Sequence, residues 1–164
     1  SECPLLEPPM DNLTQEAFLS VLTASCRYDH LTRPPSNDPL KVAFQIDVKH
    51  IENVDNTQFK THLLVQLTFQ DDRLNFSDVS PSRGSIMGQE TLRNKIWVPH
   101  IVVKNERSSN LMGLDYKDVF VKISPYGEVT YIYRLTTTFY CSMNLRKFPF
   151  DQQLCQITWT SCKY

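Results

Sequence analysis

Val119-Phe120-Val121-Lys122-Ile123-Ser124-Pro125-Tyr126-Gly127-Glu128-Val129-Thr130-Tyr131-Ile132-Tyr133-Arg134-Leu135-Thr136-Thr137-Thr138-Phe139 decides the fold class. Val119, Val121 and Ile123 recur every second residue before Ser124-Pro125-Tyr126-Gly127, and Val129, Tyr131, Tyr133, Leu135, Thr137 and Phe139 do so after it. Successive side chains of a strand point to opposite faces, so this period on both sides of a turn predicts a β-hairpin. The pattern returns in Leu63, Val65, Leu67 and Phe69 against His62, Leu64, Gln66 and Thr68. It also appears in Val42, Phe44, Ile46 and Val48 against Ala43, Gln45 and Asp47, which predicts one buried and one more polar face. A last strand sets Cys155, Ile157 and Trp159 against Gln156, Thr158 and Thr160. With no βαβ rhythm, these strands predict an all-β antiparallel sandwich or barrel.

Outward from the strands, one segment has helical spacing. Ala17, Phe18, Val21 and Leu22 line one face of a helix expected over residues 12–25, with Asn12 as N-cap and Gln15 three residues on. The Arg33-Pro34-Pro35-Ser36-Asn37-Asp38-Pro39 run is a linker to a β region over 41–164, because prolines lack a donor and bias their predecessors away from helix. The 17 basic and 18 acidic residues leave no excess positive charge for a nucleic acid backbone. Apolar runs such as Ile101-Val102-Val103 fall far short of the ~20 residues that cross a bilayer. GxSxG, HExxH and Gly-rich phosphate loops are all missing from the sequence, so catalysis and a cofactor are not expected.

Cys3, Cys26, Cys141, Cys155 and Cys162 form no CxxC pair and have no zinc-finger spacing, so no metal centre is assigned. The sequons at Asn12 and Asn75, the cysteines and a start at Ser1 together suggest a processed protein of the secretory pathway. Tyr164 follows a strand with no closing turn, and such an edge suggests that further strands belong to the domain. Cys141-Ser142-Met143-Asn144-Leu145-Arg146-Lys147-Phe148-Pro149-Phe150-Asp151-Gln152-Gln153-Leu154-Cys155 holds thirteen residues between two cysteines. A disulfide closing such a loop would stabilise by ~3 kcal/mol on the chain-entropy account. It would present Phe148-Pro149-Phe150 beside Asp151, either as a tip that touches a partner surface or as a tucked-in structural loop.

This loop, with Pro149 and Asp151 where they stand, resembles that of the Cys-loop family of pentameric ligand-gated ion channels. Ile96-Trp97-Val98-Pro99 followed by Asn105-Glu106, and Asp71-Asp72-Arg73-Leu74, agree with that family in order and spacing. The resemblance implies an immunoglobulin-like β-sandwich of the nicotinic-receptor ligand-binding type behind a short helix, over residues 1–164, with its last strands beyond Tyr164. It implies a Cys141–Cys155 disulfide. Cys3 and Cys26 are then left over in an oxidising compartment, either to pin the helix or to link to other chains, and Cys162 stays unassigned.

By the same resemblance, an agonist sits between adjacent subunits of a homo- or hetero-pentamer. One face holds loop A, His100, Val102, Lys104, Asn105 and Glu106, and the start of loop B, Ser161, Cys162 and Tyr164. The other holds loops D and E: Leu64, Gln66, Phe120, Lys122, Thr130, Ile132 and Arg134. Phe148, Pro149, Phe150 and Asp151 would push on a membrane domain together with a turn near Glu52, Asn53 and Val54. Loops C and F and four membrane helices would follow Tyr164.

Gln66 stands where amino-acid-gated members hold an Arg, and a neutral amide cannot make that charge-assisted contact with a carboxylate. Val102 and Cys162 stand where relatives often carry aromatics, which weakens a cation-π cage. An amine, proton or zinc agonist is therefore expected over a simple amino acid. Tyr133-Arg134-Leu135-Thr136 and Met143-Asn144-Leu145 resemble anion-channel subunits, whereas Phe148 to Gln153 is more nicotinic, a mixture similar to invertebrate histamine-gated and pH- or zinc-sensitive subgroups. His30, His50, His62 and His100, with Asp47, Glu52 or Asp55, are the candidate proton or zinc groups, though no pair has ligand spacing on one element. Location at the extracellular face of the plasma membrane follows, with a soluble, secreted ligand-binding protein of the same fold as the alternative.

Overall fold

A computed structural model describes residues 3–111 and 119–161 of the chain. Helix α1 spans Gln15–Leu22, and its N-cap is Thr14 rather than Asn12: Ala17 N donates to Thr14 Oγ1 at 3.3 Å. Phe18, Leu19 and Leu22 form its buried face. Phe18 meets Phe76 edge-on at 5.4 Å, and the Arg83 guanidinium lies 4.5 Å over the Phe18 ring. A disulfide joins Cys3 to Cys26, tying the segment before α1 to the segment after it.

The strands are β1 (Val42–Asp55), β2 (Gln58–Asn75) and β3 (Ile86–Gly88), then, after the short helix α2 (Glu90–Arg93), β4 (Ile101–Val103) and β5 (Glu106–Leu111). They continue with β6 (Val119–Ile123), β7 (Tyr126–Tyr140) and β8 (Trp159–Ser161). One antiparallel sheet runs β1-β2-β7-β6-β3, with β5 pairing β7 beyond the end of β6; β4 and β8 form a second, two-stranded sheet. The result is an open all-β sandwich, as the alternation predicts.

The core lies between β2 and β7, which pair from Gln58↔Tyr140 to Gln70↔Glu128. Leu63, Val65, Leu67 and Phe69 are buried beside Val129, Tyr131, Tyr133, Leu135, Thr137 and Phe139, the same residues that the period of two selects. Each apolar side chain of this kind contributes about 1.5–3 kcal/mol when fully buried. The β6–β7 turn needs Gly127: its φ is +83°, and a Cβ there would stand 2.6 Å from Asp71 O.

Two strand expectations change. β1 is an edge strand, and Phe44, Val48, Ile51 and Val54 remain exposed. The two-stranded sheet reaches only part of that face, chiefly where Trp159 meets Phe44 at 5.0 Å. The last strand is paired only over Trp159–Ser161, although Cys155, Ile157 and Trp159 are still more buried than Gln156, Thr158 and Thr160. Glu52, Asn53 and Val54 lie at the end of β1, and the turn near them is Asn56-Thr57.

Candidate functional site

Alternation along β2, β6 and β7 throws one set of side chains outward. Gln66 pairs with Ile132, Leu64 with Arg134, Phe120 with Ile132, and Lys122 with Thr130. All seven residues expected for loops D and E therefore share one face of the six-stranded sheet, opposite the buried face. Lys122 and Arg134 are exposed there and Phe120 is partly so, which leaves a surface with two cations, an amide and apolar patches.

The loop A residues lie on the other side of that sheet. β4 pairs with β8 through Ile101↔Ser161, Val102↔Thr160 and Val103↔Trp159. A cavity of about 360 Å³ opens beside them, lined by His100, Val102 and Glu106 and, from the inward face of β7, by Tyr131 and Tyr133. Arg93 and Trp159 also line it. The two tyrosine rings stack at 5.0 Å; burial pushes the Tyr133 phenol up to about 12, and burial also raises that of Tyr131, with Arg93 beside it pulling the other way. Both phenols therefore keep their protons at neutral pH, and Tyr131 accepts a hydrogen bond from Arg93.

Asn105 holds the backbone in place. Its Nδ2 donates to Gln156 O at 2.7 Å and its Oδ1 accepts from Thr158 N at 2.9 Å, clamping the chain that leads into β8. Lys104 is exposed at the end of β4, and its backbone N donates to Thr158 O. Ser161 ends β8 and is exposed. Cys162 and Tyr164 lie outside the described residues. Arg93, Tyr131, Tyr133 and Trp159 were legible in sequence only as core or loop residues, since a period of two cannot say that the space they face is open.

Behind Trp97 stands a buried polar knot. Asp71 is fully buried and accepts from Arg73 Nε at 2.9 Å, Arg73 Nη2 at 2.8 Å, Arg73 N at 3.1 Å and the Tyr28 hydroxyl at 3.0 Å. Tyr28 in turn accepts from Trp97 N at 2.9 Å, and Arg73 stacks 4.3 Å over its ring. This knot fixes the start of the Trp97-Val98-Pro99-His100 segment on the end of β2. Burial pushes the Tyr28 phenol up.

At the opposite end, the Cys141–Cys155 disulfide closes the loop. Phe148 and Phe150 protrude, the latter 91% exposed, with Pro149 between them. Asp151 accepts a hydrogen bond from Gln153, which also exchanges two hydrogen bonds with the Asn144 backbone. The β1–β2 turn is bolted to the loop: Cys141 N donates to Thr57 O at 2.8 Å and Met143 N to Asn56 O at 3.1 Å. A groove of about 360 Å³ lined by Val48, Ile51, Val54 and Leu154 runs between the two segments.

Just behind that turn, Glu52 collects cationic and titratable neighbours. Lys60 Nζ lies 2.7 Å from Oε1, His62 Nε2 3.1 Å from the same oxygen, and His50 Nε2 4.0 Å from Oε2. Hydrogen bonds from Lys60 and then His62 hold the Glu52 carboxyl down to about 2. Thr136 Oγ1 meets His62 Nδ1 at 3.0 Å. Among the described residues no three His, Cys, Asp or Glu side chains gather as a metal ion requires, and no helix is long and apolar enough to cross a membrane. Asn12 and Asn75 are exposed, and Asn75 Oδ1 accepts from both Ser77 N and Ser77 Oγ.

Residues 15–164 match the neurotransmitter-gated ion-channel ligand binding domain. The whole chain is 43% identical to "pH-sensitive chloride channel 2" of Anopheles gambiae, covering 28% of that protein, and 36% identical to the Drosophila melanogaster protein of the same name, covering 33% of it. Over 90% of its length it is 28% identical to a Drosophila melanogaster "Glutamate-gated chloride channel", covering 33% of that relative. The chain thus spans about a third or less of the length of these relatives. The disulfide loop, the open sandwich and the family match agree, and the chain belongs to the neurotransmitter-gated ion-channel ligand-binding domain family, which is not enzymatic.

Proposed function

We propose that this chain is the extracellular ligand-binding part of a chloride-conducting, pentameric channel subunit, with agonist held between neighbouring subunits and gating passed through the Cys141–Cys155 loop. One observation carries the reading. His100, Val102 and Glu106 border a cavity on the inward side of β7, whereas Gln66, Phe120, Lys122 and Ile132 lie on the outward side of the same sheet. A single copy cannot close both sets around one ligand, but two copies side by side can. The names of the relatives support chloride as the permeant ion and external protons as a stimulus, and the neutral Gln66 agrees with a stimulus other than an amino-acid carboxylate.

The test expresses the intact subunit and applies pH steps as the proton probe and histamine as the amine probe. Lys104→Glu and Lys122→Glu alter exposed residues of the two sets and should each weaken the response to an interfacial agonist. Co-expressing the two restores one unaltered interface in mixed pentamers, so part of the response should return; no recovery would refute a shared site. Asp151→Ala should leave surface pentamers in place and reduce the evoked current. Unchanged gating in that variant would remove the loop from the mechanism.

A further inference from the structure

His50 and His62 are twelve residues apart in sequence, yet the β1–β2 ladder sets them directly opposite each other, with ring centroids 5.9 Å apart. Glu52 and Lys60 form the next pair on the same face, so two imidazoles, one ammonium and one carboxylate share a small area. We propose that His50, His62, Glu52 and Lys60 form a site through which external protons act on this domain. The proposal rests on the channel reading above and adds to it the place where protons bind.

The geometry accommodates both charge states of His62. Glu52 accepts from Nε2, so Nε2 carries a hydrogen, and the Thr136 hydroxyl can donate to a bare Nδ1 or accept from a protonated one. His50 stands mostly exposed within 4.0 Å of the second carboxylate oxygen, so a proton reaches it directly. Imidazole is the side chain whose ordinary titration falls between about pH 5 and 8. At alkaline pH the site is a Lys60–Glu52 pair. With both rings charged, three cations surround one carboxylate, and the two rings repel across the ladder.

Among the described residues, the other charges near the site have partners of their own, and His62 itself has a further interaction besides Glu52 and Thr136. On β1, Asp47 pairs with Lys49 at 3.3 Å. On β7, Arg134 stands one outward position along from Thr136 and has its own interaction, and on β5 Arg107 donates to Gln58 at 2.9 Å. Asp55, at the end of β1, accepts from Asn56 N.

The charging would fall on an irregular stretch of the ladder. The β1–β2 ladder is regular only from His50 to Glu52 here, with register shifts between Val48 and His50 and between Glu52 and Asp55, and Asn53 has a φ of +50°. Immediately beyond lies the Asn56-Thr57 turn, hydrogen-bonded to Cys141 and Met143 at the root of the disulfide loop. A charge-driven shift of β1 against β2 is therefore delivered to the Phe148-Pro149-Phe150-Asp151 tip. Protonation of histidine clusters switches packed interfaces in this way.

The test is the proton concentration–response curve of the intact subunit, with surface expression measured in parallel. Glu52 favours charged imidazoles, so Glu52→Gln should move the midpoint toward acid by about one unit, tenfold in proton concentration. Lys60 opposes them, so Lys60→Gln should move it toward alkali. His62→Gln keeps an amide for hydrogen bonding and loses the titration, and together with His50→Gln it should flatten the curve. A merely structural cluster would shift Glu52→Gln and Lys60→Gln the same way or not at all, and either result overturns the proposal. So does a wild-type pH response that survives loss of both histidines. That result would leave the channel reading intact, because the channel reading fails instead on Asp151→Ala and on the mixed-pentamer recovery.

Discussion

Asp71→Ala should cost the domain about 3–5 kcal/mol, the range for breaking a buried ion pair by removing one partner. The carboxylate is fully buried and receives four hydrogen bonds, three from Arg73 and one from Tyr28. Its removal strands the Arg73 guanidinium and the Tyr28 hydroxyl. Arg73 is itself 16% exposed and still donates to Asp29 O at 3.1 Å, so some of its charge finds other partners and the loss belongs near the low end, about 3 kcal/mol. For a domain of this size that is a Tm drop of about 6–12 °C. Tyr28→Phe leaves Trp97 N and one carboxylate lone pair unmet, removes a long contact from Arg73 Nη2, and should cost about 1–2 kcal/mol. Because both changes act on one knot, the double variant should lose less than the sum of the single losses. Urea unfolding followed by tryptophan fluorescence suits the measurement, since Trp97 packs edge-on against Phe69 at 5.5 Å and its backbone is tied to Tyr28. A loss below about 1 kcal/mol for Asp71→Ala, or strict additivity with Tyr28→Phe, would refute the view that this carboxylate organises the knot.

Three further outcomes follow from the geometry. The Glu52 carboxyl is depressed from its ordinary 4.5 to about 2, so its contribution to stability is present above pH 4.5 and fades as pH falls toward 2; acid titrations of unfolding should show Glu52→Gln losing less stability across that window than the wild type. Gly127→Ala forces a β-carbon into a left-handed turn and against Asp71 O, and should cost about 1–3 kcal/mol, whereas Gly84→Ala, with open space around it, should change the urea midpoint little. Asn75→Gln should remove one glycan-sized mass step from the secreted or surface-expressed protein on glycosidase treatment, because the exposed Asn75 already folds back onto Ser77; an unchanged mass would exclude modification there.

The alternation of Leu63 to Phe69 and of Val129 to Phe139 was enough to assign the buried face of both central strands, and by the same parity it put Gln66, Ile132 and Arg134 on the outward face. The family resemblance of the Cys141 to Cys155 stretch implied a disulfide, which the structure closes, whereas the sequence left its Phe-Pro-Phe-Asp tip open between tucked-in and outward-facing, and the structure turns Phe148 and Phe150 outward. The sequence did not reveal that β1, equally alternating, would stand at a sheet edge with Val48, Ile51 and Val54 exposed. Periodicity states which side chains share a face and is silent on what covers that face. Nor did it reveal the meeting of His50 with His62 and Glu52. That meeting depends on where the two-residue Asn56-Thr57 turn and the neighbouring bulges set the ladder, and a one-residue slip would send His50 to the opposite face from His62. Local pattern is written in the order of residues, whereas juxtaposition across strands is decided only when hydrogen bonding and burial together select one register.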